Sequence, residues 1–192
     1  MNEQTVADYF SLLMTEGLGL DISDPDLSDT PHRVAKMFCQ EFLLNCCVEF
    51  TDFFTSPNTH KYDQIICSDR IFFVSMCAHH FLPFTGNAWV MYVPADRLIG
   101  ASKMARIVEH YAKRPQLQEH LCHEVIECFS AGGKPQGCMG VMRGIHGCMK
   151  CRGVKQSGSG LTTSAIKGIF EDERVKNEGM ALIHLSLLDK QG

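Results

Sequence analysis

The sequence predicts an α+β domain built on an antiparallel sheet, and three observations predict it. Helical periodicity opens the chain, runs of β-branched and aromatic residues fill two separate stretches, and two amphipathic helical patterns stand between those stretches. An order of helices, strand pair, two helices and second strand pair segregates helices from strands, unlike the strict alternation that builds a parallel sheet. With 192 residues, 45% hydrophobic and 21% charged, the chain has material for one substantial core.

The first helix is expected over residues 3–18, where Val6, Phe10, Leu13 and Met14 recur at helical spacing and Gly17 and Gly19 mark the stop. Asp29-Thr30-Pro31 then sets a capping residue ahead of a proline whose fixed φ suits a first helical turn. Val34, Met37, Phe38 and Phe42 form the apolar stripe of that second helix. Residues 1–55 are therefore read as a helical segment and residues 56–192 as the sheet-bearing unit. Residues 62–74 and 87–94 read as strands, with Phe84-Thr85-Gly86-Asn87 as the turn leading into the second. From an N-cap at Ser102 the period returns to 3.6, with Met104, Ile107, Val108 and Tyr111 inward and Lys103, Arg106 and Glu109 outside that face. A further helix covers residues 116–129, carrying Leu117, Leu121, Val125 and Cys128, and Gly132-Gly133 ends it. Two more strands follow, residues 138–142 and 145–154, joined at Arg143-Gly144, and "KQSGSG" at residues 155–160 reads as a flexible loop.

Composition narrows the function classes. No apolar stretch approaches the roughly 20 residues needed to cross a bilayer. The opening Met1-Asn2-Glu3-Gln4 lacks the basic and apolar regions of an export signal. The expectation is a soluble cytoplasmic protein with no membrane partner. Ten cysteines are scattered, with Cys46 and Cys47 adjacent, so most read as thiols packed like small hydrophobes and a few as metal donors. A net charge of −4 speaks against nucleic acid as the main partner.

Candidate chemistry gathers in two segments. "CAHH", Cys77 to His80, places a thiol and an imidazole three residues apart, a spacing at which a turn can aim both at one ion while His79 points elsewhere. "IHGCMKCRG", residues 145–153, supplies a third donor: as a strand it would set His146, Cys148, Lys150 and Arg152 on one face and Cys151 on the other. An imidazole, a thiol and two cations on one face are costly to bury without a partner. Any one of these residues alone reads as core packing or an ordinary surface group. Together, Cys77, His80 and Cys148 offer three donors and an open fourth position, the pattern of a catalytic rather than a structural zinc site. His123, mid-helix, is a weaker alternative ligand. A metal there would activate water near neutral pH, and His79 and His146 are placed to carry protons. The chemistry so read is hydrolytic.

These segments also resemble the zinc-dependent, homodecameric GTP cyclohydrolase I family. The resemblance rests on "DTPHRVAKM" (residues 29–37), "SMCAHHFLPFTG" (75–86), "GASKMARIVEHYAKRPQLQEHL" (100–121), "HGCMKCRG" (146–153) and "TTSAIKGIF" (162–170), a specific combination in this order. It implies the tunnelling fold, in which subunits join antiparallel sheets into a barrel, and a homo-oligomer, a decamer of two pentamers. It implies Zn2+ held by Cys77, His80 and Cys148, with His146 as proton donor and acceptor at the guanine imidazole ring and His79 assisting the opening steps. The implied substrate is GTP, attacked at C8 with loss of formate and rearrangement to 7,8-dihydroneopterin triphosphate for folate, pterin or 7-deazaguanine synthesis. Glu119, with Gln118 beside it, matches the purine-binding carboxylate, which can accept from guanine N1–H and the 2-amino group. Lys103, Arg106 and Arg152 match triphosphate positions, with Ser102 near the ribose or phosphate and Arg33 a looser match. A helix N-terminus bearing two cations suits an anion, and an arginine fork suits phosphate oxygens. The chain departs from the family at Ala78, where CEHH is usual, so a charge beside the metal donors is missing. Two other readings stay open: a tunnelling-fold relative acting on another purine nucleotide, and a catalytically silent zinc-binding subunit.

Overall fold

The computed structural model of the chain describes residues 1–188. Two helices lead, α1 (Glu3–Leu12) and α2 (Thr30–Met37), each prolonged by a five-residue π turn. The Asn2 side chain caps α1 by accepting from the Thr5 N–H, and Pro31 occupies the first turn of α2, where no N–H is needed. Asp29 makes no capping bond and pairs with Arg33 at 2.9 Å.

The main sheet has six strands. β3 (Ile71–Cys77), β4 (Pro83–Val93), β7 (Gly137–His146) and β8 (Leu161–Gly168) run antiparallel in that order, and β6 (Pro115–Gln116) adds a parallel edge beside β3. β2 (Ile66–Cys67) continues the pairing of β4, while β1 (Thr55–Pro57) and β5 (Arg97–Ile99) form a separate ribbon. Alternation along β4 sends Val90 and Tyr92 to one face and Trp89, Met91 and Val93 to the other. On the first face α3 (Ala101–Ala112) and α4 (Gln118–Gly133) bury Met104, Ile107, Val108, Leu121, Val125, Ile126 and Phe129 against Phe73, Phe84, Val90 and Tyr92. Each such side chain contributes about 1.5–3 kcal/mol by leaving water, so this layer anchors the elements that carry the candidate site. The second face packs Trp89, Met91, Met139 and Val141 against Phe170 and Ile183, the latter from α6 (Glu173–Leu188).

The α+β class, the antiparallel sheet and the two helices packed on it agree with the sequence reading, but several local expectations do not. The expected turn at residues 84–87 lies inside β4, and the chain reverses at Ala78, His79 and His80 instead. Nor do Arg143 and Gly144 join two strands, because β7 runs unbroken to His146. The glycines that suggested turns are there for space: Gly86 and Gly144 face each other across β4 and β7. A Cβ on Gly86 would collide with the Arg143 carbonyl, and one on Gly144 with Gln118 Oε1. Beyond His146 the predicted strand of residues 145–154 is replaced by one helical turn, α5 (Gly147–Lys150). Besides β4, β7 pairs with β8, whose polar Thr162, Thr163 and Ser164 hide its strand character in the sequence. Ser102 is not the N-cap of α3, a role that falls to Gly100.

Candidate functional site

Three chain segments converge at one end of the sheet. Cys77 ends β3 and is 4% exposed. His146 ends β7 directly opposite Phe84 on β4, and Cys148 follows on α5. The donor atoms of Cys77, His146 and Cys148 all lie within 4.8 Å of one another. The two sulfurs are 3.9 Å apart. Zn–S bonds of about 2.3 Å at a tetrahedral angle separate two sulfurs by roughly 3.8 Å, so the pair fits zinc. Burial pushes the Cys148 thiol above its ordinary pKa and the adjoining Cys77 thiol adds to the rise. A dication would reverse that balance by favouring the thiolates.

The strand reading joined His146 and Cys148 by period-2 alternation; the structure joins them by a turn. Lys150 and Arg152 are consequently exposed rather than gathered on the cluster's face, and Cys151 follows Cys148 around the same turn. His79 and His80 are exposed in the reversal after β3, with ring centroids 6.3 Å apart. His80, expected as the third donor, is thus not gathered with the two sulfurs, and His146 is. His123 is exposed on α4 beside Glu127, at 3.6 Å.

His146 is held from two sides. Its ring stacks on Phe84 with centroids 4.4 Å apart and planes 3° from parallel, and its Nε2 lies 3.1 Å from Gln118 Oε1. Burial lowers its pKa, and the charge of Glu119 partly restores it. Glu119, exposed in the first turn of α4, therefore sits within electrostatic reach of His146. Gln118 is fully buried, a placement its sequence neighbourhood did not suggest.

The predicted anion residues form a second group. Ser102 is exposed in the first turn of α3. Lys103 is only 7% exposed, with Nζ 2.5 Å from Asp52 Oδ1, and Arg106 reaches Asp52 Oδ2 at 2.7 Å. Asp52 escaped the sequence reading because nothing in Phe50-Thr51-Asp52-Phe53 marks it; its partners stand about fifty residues away. A cleft of about 670 Å³ lined by Phe50, Phe53, Tyr111 and Arg114 contains none of these residues.

The family model of GTP cyclohydrolase I matches residues 7–184. The GTP cyclohydrolase 1 of Streptococcus mutans is 37% identical over 191 residues, covering 96% of this chain and 99% of its own. This chain belongs to the GTP cyclohydrolase I family. Similar relatives are the GTP cyclohydrolase 1 of Carboxydothermus hydrogenoformans, 38% identical over 173 residues (89% of this chain, 90% of its own), and that of Clostridium perfringens, 38% over 177 residues (90% and 94%). Among solved structures, the archaeosine synthase QueF-Like in its apo form overlaps 55% of this chain and 94% of its own at 16% identity and a TM-score of 0.46. The tunnelling fold expected from the resemblance is the fold of the GTP cyclohydrolase I family. No helix among the described residues is long and apolar enough to cross a membrane.

Proposed function

We propose that this chain is a zinc-dependent GTP cyclohydrolase that opens GTP at C8, releases formate and yields 7,8-dihydroneopterin triphosphate. The observation that carries the reading is the Cys77 and Cys148 sulfur pair at 3.9 Å beside a buried histidine, in a chain of this family. Zinc, when bound, supplies the Lewis acidity that makes water a nucleophile near neutral pH.

Cys77 and Cys148 hold the ion, with His80 as third donor. In support, His80 follows Cys77 by three residues in a tight reversal, where the Phe81 N–H donates to the Cys77 carbonyl at 2.9 Å. His146, clamped between Phe84 and Gln118, then moves a proton at the guanine imidazole ring, and His79 assists the later opening steps. Glu119 accepts from guanine N1–H and the 2-amino group; adenine would turn a lone pair toward it at N1, so the carboxylate selects guanine. Lys103, Arg106 and Arg152, with Ser102, hold the triphosphate. Full assembly is a decamer of two pentamers in the cytoplasm. In support of oligomerisation, β8 pairs only with β7 among the described residues, leaving an edge that needs a partner or a cover.

The test is incubation of metal-quantified protein with GTP, following formate and oxidised-pterin fluorescence with and without chelator. Chelator-sensitive formation of both is the expected result. Bound zinc with neither product overturns the reading and favours another purine nucleotide or a silent subunit, with Ala78 as the feature to restore first.

A further inference from the structure

We infer that Gln118 is a positioning residue that sets the orientation and tautomer of His146, and that it makes no contact with the nucleotide. The inference rests on His146 as the proton carrier proposed above. It revises the resemblance, which groups Gln118 with Glu119 as purine-binding.

The argument starts from burial. Gln118 is 0% exposed although it is the first residue of α4, whose next residue, Glu119, is open to solvent. Its amide nitrogen donates to the Met142 carbonyl at 3.1 Å, the Leu161 carbonyl at 3.0 Å and the Thr163 hydroxyl at 3.2 Å. Two of those partners are carbonyl oxygens, which only accept, so the NH2 end of the amide must face them. The amide oxygen is thereby turned toward His146 Nε2, 3.1 Å away. An amide oxygen only accepts, so Nε2 must carry the hydrogen. The neutral ring then keeps its lone pair on Nδ1.

Two further features serve the same geometry. Phe84 fixes the plane of the ring by stacking, which leaves rotation within that plane to the hydrogen bond. Gly144 has no side chain where Gln118 Oε1 sits, so the strand opposite Phe84 and Gly86 is shaped to admit the amide. A proton carrier is useful only if the nitrogen with the lone pair is the one presented to the reaction, and partners of this kind typically change activity by about 10–100-fold when removed.

The experiment uses Gln118→Met, which keeps length without polarity, and Gln118→Glu, which keeps an acceptor toward His146. Zinc-free protein labelled with 15N-histidine gives a readout independent of turnover, with the His146 signal assigned by its loss in His146→Ala. The wild type should show the proton on Nε2, Gln118→Met a mixture of tautomers, and Gln118→Glu the Nε2–H form again. A wild-type proton on Nδ1, or an unchanged ratio in Gln118→Met, overturns the inference. In the zinc-loaded enzyme, Gln118→Met should lower kcat about 10–100-fold with KM for GTP essentially unchanged, and should add nothing in a His146→Ala background. A raised KM with unchanged kcat would make Gln118 a substrate contact. An equal further loss without His146 would make its role merely structural. If the wild type does not turn over GTP, the functional reading fails while the tautomer measurement still decides this one.

Discussion

The two ends of the candidate site are built in opposite ways. At the metal end, Cys77, His146 and Cys148 come from two strand ends and one helical turn, and the histidine is fixed by a stacked ring and a buried amide of the protein itself. At the anion end, Lys103 and Arg106 share the carboxylate of Asp52, and Arg152 stands exposed beyond α5. Groups that steer bond-making need sub-ångström placement and so sit on rigid elements, whereas charges that hold a flexible triphosphate can change partners. Substitutions at the metal end should therefore abolish the reaction, and those at the anion end should only shift affinity.

The largest effects belong to the metal end. Cys148→Ser should lose both zinc, by metal analysis, and turnover; full zinc occupancy would remove Cys148 from the donor set. His80→Ala against His146→Ala sharpens the assignment of the third donor. His80→Ala should lose zinc, while His146→Ala should keep it and lose about 10²–10⁴-fold in turnover, the usual worth of a positioned acid or base. The reverse pattern of zinc contents would make His146 the third donor and leave the proton work to another group.

The anion end should respond through affinity. Lys103→Ala removes a charge-assisted contact and should raise KM for GTP about tenfold to a hundredfold with a smaller change in kcat. Arg152→Ala should do the same, because its fork suits phosphate oxygens. A fall in kcat at constant KM from either change would move that residue from binding to chemistry.

This division was only partly legible in the sequence. The helices α3 and α4 could be read because their apolar stripes recur with a clean 3.6 period, and Cys77 because a thiol and an imidazole three apart follow a β-rich run. The sequence pattern reaches Cys148 through an extended run that in the structure stops at His146. Four residues from Gly147 to Lys150 carry too little pattern to distinguish a helical turn from an extended run. Glycine misled twice, since Gly86 and Gly144 mark close approaches of backbone and of the Gln118 amide rather than turns. Gln118 and Asp52 were hidden for a different reason: their meaning lies in partners 28 and more than 50 residues away, which no local spacing encodes.

Asp52 supplies the smallest and most discriminating prediction. Its carboxyl is held below the usual aspartate range, first by the hydrogen bond from Lys103 and then by that from Arg106. A depressed folded-state pKa means that the ion pairs are present above the ordinary aspartate value and are lost as pH falls through the folded one. At neutral pH the carboxylate is therefore ionised and, if Lys103 and Arg106 hold the triphosphate as proposed, would compete with phosphate for the same two cations. Asp52→Asn should lower KM for GTP by a small factor, about two- to fivefold, because the Asp52 carboxylate shared by both pairs is open to solvent, which weakens them. The difference from wild type should narrow as salt rises, since screening weakens the competing pair. Activity at pH 7 over a GTP series at low and high salt decides the point: a raised KM in Asp52→Asn would mean that Asp52 aims Lys103 at the phosphates, making the anion end as preorganised as the metal end.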